Sequence, residues 1–155
     1  MTELENTSAS GSHEYVAFHV GDEDYCVDIM SVRELRGWSQ ATRLPHAPDF
    51  VYGVINLRGA VIPVIDLAAR LGLGKTEPSA RHVIIILQLG EQTLGLLVDA
   101  VSEILSATED QLRPTPNVDS EAALEFVNGL ILVEERMIRL VNLERVSPQP
   151  RTEAA

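Results

Sequence analysis

The sequence is short of several things, and each shortage removes a class of protein. A single cysteine, Cys26, cannot close an intramolecular disulfide, which argues against a disulfide-held secreted scaffold. No apolar run approaches the roughly 20 residues a membrane helix needs. The opening stretch MTELENTSASGSHE has neither the basic nor the apolar segment of a secretory leader. Basic residues are few, 12 against 23 acidic, and the net charge of −11 repels phosphate backbones and anionic lipid surfaces. No basic patch offsets it, so neither nucleic acid nor membrane insertion is expected. Aromatics make up only 5%, which leaves aliphatic side chains to build the core. These shortages predict a soluble, reducing, cytoplasmic protein whose partners are proteins.

What is present fits one ordinary domain or two very small ones: 155 residues, 45% of them hydrophobic. Residues 1–13 are polar and small, and 147–155 (SPQPRTEAA) carry two prolines, so both are predicted to be disordered tails around a domain at 14–146. Inside it, strand-like runs recur at 15–20, 25–29, 51–57, 61–67, 82–89, 93–98, 129–133 and 137–143, punctuated by Gly, Asp, Asn and Pro. Short helices are expected at 31–35, at 67–71 behind an Asp66 cap, and at 121–127.

The strand pattern is written twice. VGDEDYCVDIMSVREL aligns without gaps on LGEQTLGLLVDAVSEI when Gly21 is laid on Gly90, which sets Val32 on Val101 and Glu34 on Glu103. A slightly longer offset sets Gly53 on Gly129 and VIPVIDL on MIRLVNL. The halves, about 14–75 and 80–146, each hold about five short strands and no long helix to cover an open sheet. Closure into two small barrels is the economical way to hide the edges. Barrels that small need a shared apolar interface. Whether the halves stand side by side or interleave is left open by the sequence.

One stretch, GVINLRGAVIPVIDL (53–67), places a guanidinium, Arg58, at the turn between two strands. The second copy has Leu132-Val133-Glu134-Glu135 where the first has Asn56-Leu57-Arg58-Gly59, so the fold alone does not demand Arg58. It is either a solvated turn arginine of little consequence or a contact residue.

Together with VRELRG (32–37), GLLVDAVSEIL (95–105) and LRPTP (112–116), that stretch resembles the CheW family, adaptors that couple chemoreceptors to the histidine kinase CheA. The resemblance spans about 15–146 in the family's order. It implies an all-β fold with short helices, two five-stranded SH3-like barrels around a shared hydrophobic core, and a non-catalytic scaffold without cofactor. It also implies two partners, the receptor's cytoplasmic hairpin tip and the CheW-like regulatory domain of CheA, and a chain that is monomeric when isolated and joins membrane-associated receptor arrays through them. Arg58 matches the arginine of the family's Asn-Leu-Arg-Gly signature. Asn56, Gly53 and Gly59 match positions around the same surface, Val32 and Glu34 match positions of receptor or kinase coupling, and Val101 matches an apolar groove position. Val32 and Val101 read equally well as core residues, and the glycines as turn residues. Glu34, between Val32 and Leu35, is expected to point outward. Cys26 reads as a buried, inert thiol.

Other chemistries find less support. ARLGLGKT (69–76) mimics a phosphate loop, but an apparent helix precedes its glycines where a strand belongs, and Pro78 follows. His13, His19, His46 and His82 lack metal-ligand spacing. No serine sits in a nucleophile signature, so no enzyme is expected. Two alternatives remain: a CheW-like adaptor of another CheA-type pathway, serving twitching motility or a second messenger, and a small ligand-binding or hydrolytic β-barrel. The last would need an enclosed pocket with converging polar groups.

Overall fold

Gly21 and Gly90, the two glycines that anchor the repeat, both hold φ 63° and turn one strand back on the next. In the computed structural model, which describes residues 12–115 and 125–148, β1 (His13–Val20) returns as β2 (Glu23–Asp28). A 3-10 turn (Ile29–Ser31) capped by Asp28 leads into β3 (Val32–Gly37), and β4 (Val51–Leu57) with β5 (Ala60–Asp66) forms the next hairpin. Asp66 caps α1 (Leu67–Arg70). The second copy repeats the order: β6 (Val83–Leu89), β7 (Gln92–Val98), β8 (Ala100–Ala107), the two-residue β9 (Leu112–Arg113), β10 (Val127–Val133), β11 (Arg136–Val141), and α2 (Leu143–Val146) capped by Asn142.

These strands make two sheets, in the orders β3-β6-β7-β5-β4 and β8-β1-β2-β11-β10-β9, and the fold is the two-barrel arrangement. The copies interleave: β6 and β7 are central in the first sheet, whose other strands come from the first copy, while β1 and β2 are central among strands of the second. We call these sheets barrel 1 and barrel 2. Their registers obey the repeat. Val32 lies opposite Leu87 with a bulge before Glu34, and Val101 lies opposite Phe18 with a bulge before Glu103. Parallel β5 and β7 pair at Val64 and Gly95, and parallel β11 and β2 at Leu140 and Cys26.

The central strands bury both faces, which is why VIIIL and its like are unbroken apolar runs rather than alternating ones. Ile84 and Ile86 face the interior of barrel 1 with Ile55, Ile62, Val64 and Leu97. Tyr15, Ala17, Cys26, Ile131 and Ile138 fill barrel 2. Between them lies the shared core, including Phe18, Val27, Ile65, Leu67, Ile85, Leu87, Leu94, Leu96 and Val141.

One expectation changes, and two others fall largely outside the described residues. Residues 31–35 are not a helix; the 3-10 turn ends at Ser31, and Val32 starts an edge strand whose Arg33, Glu34 and Leu35 mimic a helical composition. Its counterpart β8 is an additional strand. The helix expected at 121–127 lies mostly outside the described residues, and Val127 already belongs to β10. The tails expected at 1–13 and 147–155 also lie largely outside them, although His13 pairs within β1 and Ser147 is buried against α2.

Candidate functional site

The tip of the β4–β5 hairpin is a two-residue turn. Leu57 faces Ala60, and Arg58 and Gly59 between them hold φ 51° and 90°, the double left-handed geometry of a type I′ turn. Asn56 secures it, its Oδ1 accepting the Gly59 N–H at 2.9 Å. Gly59 suits such a position, whereas an arginine there costs on the order of 1 kcal/mol against the right-handed well. In the matching turn of the second copy, Glu134-Glu135, only Glu134 takes a positive φ, 59°, so the paired strands are matched while the turn differs.

Arg58 Nη2 donates to Glu34 Oε2 at 2.7 Å, joining the hairpin tip to β3. The arginine side chain is 62% exposed and that of Glu34 29%. The Arg58 hydrogen bond holds the Glu34 carboxyl below its ordinary value, with the Arg36 and Arg33 charges adding to it against a smaller desolvation effect. Among the described residues one N–H of this five-donor guanidinium is engaged, and the side chain is largely exposed. The second copy builds a related pair from a different position: Arg136 Nη1 donates to Glu103, the counterpart of Glu34, at 2.8 Å.

Of the residues singled out in the sequence, Arg58, Glu34, Asn56 and Gly59 form one local cluster, and Val32 lies two residues from Glu34 on β3. Val101 is on barrel 2. Both valines are half-buried against the shared core, so they floor a surface rather than project from it. Gly53 is buried, and a Cβ there would sit 2.6 Å from the Thr42 carbonyl oxygen and 2.9 Å from the Ala41 Cβ. Its missing side chain admits the chain's own 41–42 segment, which bridges to Val54. The sequence reading overlooked the exposed apolar side chains nearby: Met30 (78%), Leu35 (47%) and Val61 (70%), with Ile104 and Met137 at the positions equivalent to Leu35 and Val61. The repeat offset itself would have paired them.

The remaining motifs are accounted for by the fold. Thr76 of the GlyLysThr stretch gives its N–H and hydroxyl to the Asp66 carboxylate at 2.8 and 2.6 Å, so the donors that a phosphate loop would offer are already taken by the chain's own anion. His13, His19 and His82 lie beside Asp28, Asp24 and Asp99. Burial, with the Asp28 charge adding, pushes the Cys26 thiol up to about 12 and leaves it inert. A surface cleft of about 770 Å3 between β1, β2 and α2 contains none of the hairpin residues; of its polar lining, Asp28 is engaged by His13 and the Met30 N–H, and Asn142 by the Arg145 N–H.

Residues 14–150 match the family described as CheW-like domain. The probable chemotaxis protein CheW of Rhizobium etli is 51% identical over 145 residues, 94% of each chain. The chemotaxis protein CheW of Rhizobium meliloti is 50% identical over 155 residues, covering all of both chains. Among solved structures, the scaffolding protein TtCheW from Thermoanaerobacter tengcongensis superposes with a TM-score of 0.77 at 38% identity, over 83% of this chain and 88% of that one.

Proposed function

The chain belongs to the CheW-like family of chemotaxis scaffold proteins, and from that premise we propose that it couples chemoreceptors to the histidine kinase CheA, one partner being gripped at the Arg58 hairpin. The observation that carries this reading is the Arg58–Glu34 pair. A guanidinium at a left-handed turn position, oriented by one carboxylate and largely exposed, is set to donate to a partner's carboxylate or carbonyls. Leu35 and Val61 supply exposed apolar area on the same two elements. A surface of this kind suits a protein helix better than a small molecule. The chemistry asked of it is differential affinity: a partner whose signalling states bind with different free energies passes that difference to whatever else the scaffold holds.

The test is titration of the full chain with a receptor hairpin fragment and, separately, with the regulatory domain of the kinase. Arg58→Ala is expected to lose about thirtyfold in affinity for at least one of them, about 2 kcal/mol. Arg58→Lys should recover part of it, since an ammonium lacks the planar fork. Arg58→Gly should bind as poorly as the alanine variant while folding at least as stably, because glycine relieves the turn of about 1 kcal/mol. Arg139→Ala, which removes an arginine paired with Glu23 on barrel 2, is the control and should bind nearly normally. Unchanged affinities with a lowered melting temperature in Arg58→Ala would make the residue a brace and end the binding assignment.

A further inference from the structure

One cation takes no part in the surface described above. Arg70, at the end of α1, lies half-buried where the two copies meet. Its guanidinium carbon is 3.9 Å from the Phe50 ring centre and 4.8 Å from that of Phe126. Its Nε donates to the Val146 carbonyl at 3.2 Å and its Nη2 to the Arg145 carbonyl at 2.9 Å, the last carbonyls of α2. The two phenylalanines occupy equivalent places in the repeat. Phe50 O accepts the Asp66 N–H at 2.8 Å, and Phe126 O accepts the Asn142 N–H at 2.7 Å, so each ring is tied to the residue that caps its own copy's helix. The position matching Arg70 in the second copy is Val146, fully buried. A single arginine therefore spans the pseudo-symmetric junction, stacked on a ring from each copy and filling the open end of the second copy's helix. Burial lowers its proton affinity, as expected of a cation with aromatic and carbonyl neighbours and no carboxylate within ion-pair distance among the described residues.

We infer that Arg70 is a positioning residue: it sets the β10–β11 hairpin and α2 of barrel 2 against barrel 1, and so fixes the relation between surfaces carried by the two barrels. Its consequence for signalling rests on the scaffold reading above, but the geometric claim does not.

The experiment uses the full chain. Residual dipolar couplings should fit one rigid body in the wild type, and in Arg70→Ala should require a changed orientation of β10–β11 relative to barrel 1. The amides of Val146 and Ser147, which close α2, should exchange at least about tenfold faster. Arg70→Lys should be intermediate, because an ammonium can take a carbonyl but cannot lie flat between two rings. Separate affinities for the receptor fragment and the kinase domain should stay within about twofold, while kinase activation in the three-component assembly falls about fivefold or more. Should Arg70→Ala fail to fold, Arg70→Lys and Phe126→Leu carry the measurement, with smaller shifts of the same kind expected. Wild-type couplings and exchange in the folded variants overturn the inference whatever happens to activation. Loss of activation in the wild-type orientation also overturns it, and failure of the wild type itself to bind either partner overturns the scaffold reading instead.

Discussion

At the scale of the residue, the 2.7 Å hydrogen bond from Arg58 to Glu34 ties the tip of the β4–β5 hairpin to the edge strand β3. Glu34, expected to point outward, is only partly exposed, at 29%; the intramolecular control was legible, since the second copy keeps the strands and drops the arginine. The pairing of the two was not, because 24 residues and a sheet edge separate them. That pairing gives a pH dependence whose sign is fixed. The folded-state carboxyl of Glu34 is held below its ordinary value of 4.5, so its contribution is fully present above that value and is lost as pH falls through the lowered one. Glu34→Gln should therefore melt slightly below wild type at pH 7, and the gap should close as pH falls below 4.5 and through the lowered value at which the wild-type carboxylate takes up its proton. The effect is small because the pair is exposed. Thermal melts of both proteins across that range decide it; a gap that widens in acid would mean that Arg58 does not stabilise the charged form.

Strands and turns were the easiest elements to read, because their signal is local. Gly21 and Gly90 close hairpins where the repeat placed them, and Asp66 and Asn142 cap short helices at equivalent ends of β5 and β11. The edge strands β3 and β8 were harder. Each is bulged after its valine and carries charge in or just after the bulge, Arg33 and Glu34 in β3 and Glu103 in β8, so neither a period of two nor an apolar run marks it. Gly53 belongs to this scale as well. It looked like a place for a partner's close approach, and the partner turns out to be the chain's own 41–42 segment. Gly53→Ala places a methyl 2.6 Å from a backbone carbonyl that must shift, which should cost about 1–3 kcal/mol in chemical denaturation. The matching Gly129 meets the Arg113 carbonyl at 3.0 Å, and Gly129→Ala should cost less. A Gly53→Ala protein as stable as wild type would reopen the reading of Gly53 as a surface for others.

The whole molecule is where the sequence said least, because interleaving is a matter of long-range pairing that no local pattern records. Its charge follows the interleaving: residues 32–98, which form barrel 1, carry seven basic and five acidic side chains, whereas the rest of the chain carries five and 18. The strong net negative charge thus resides outside the barrel that holds Arg58, and steering at that hairpin is not governed by the net value. Interleaving also predicts how the chain can be cut. A break between Gly74 and Lys75, in an exposed linker, leaves a first fragment with β3, β4 and β5 but without β6 and β7, the centre of their sheet. The second fragment keeps β8, β10 and β11 but lacks β1 and β2. Each piece would expose its share of the common core, so neither should fold alone as a monomer. Mixed at equal concentration, they should restore a dispersed amide spectrum, since every strand pair in both sheets is again available. Residues 32–98 contain all five strands of barrel 1 and should behave differently: the sheet should form, yet self-associate through the uncovered Ile65, Ile85, Leu87, Leu94 and Leu96. Size-exclusion chromatography with amide spectra of the three fragments separates the cases, and two monomeric, well-dispersed half-chains would mean that each copy can close a barrel of its own.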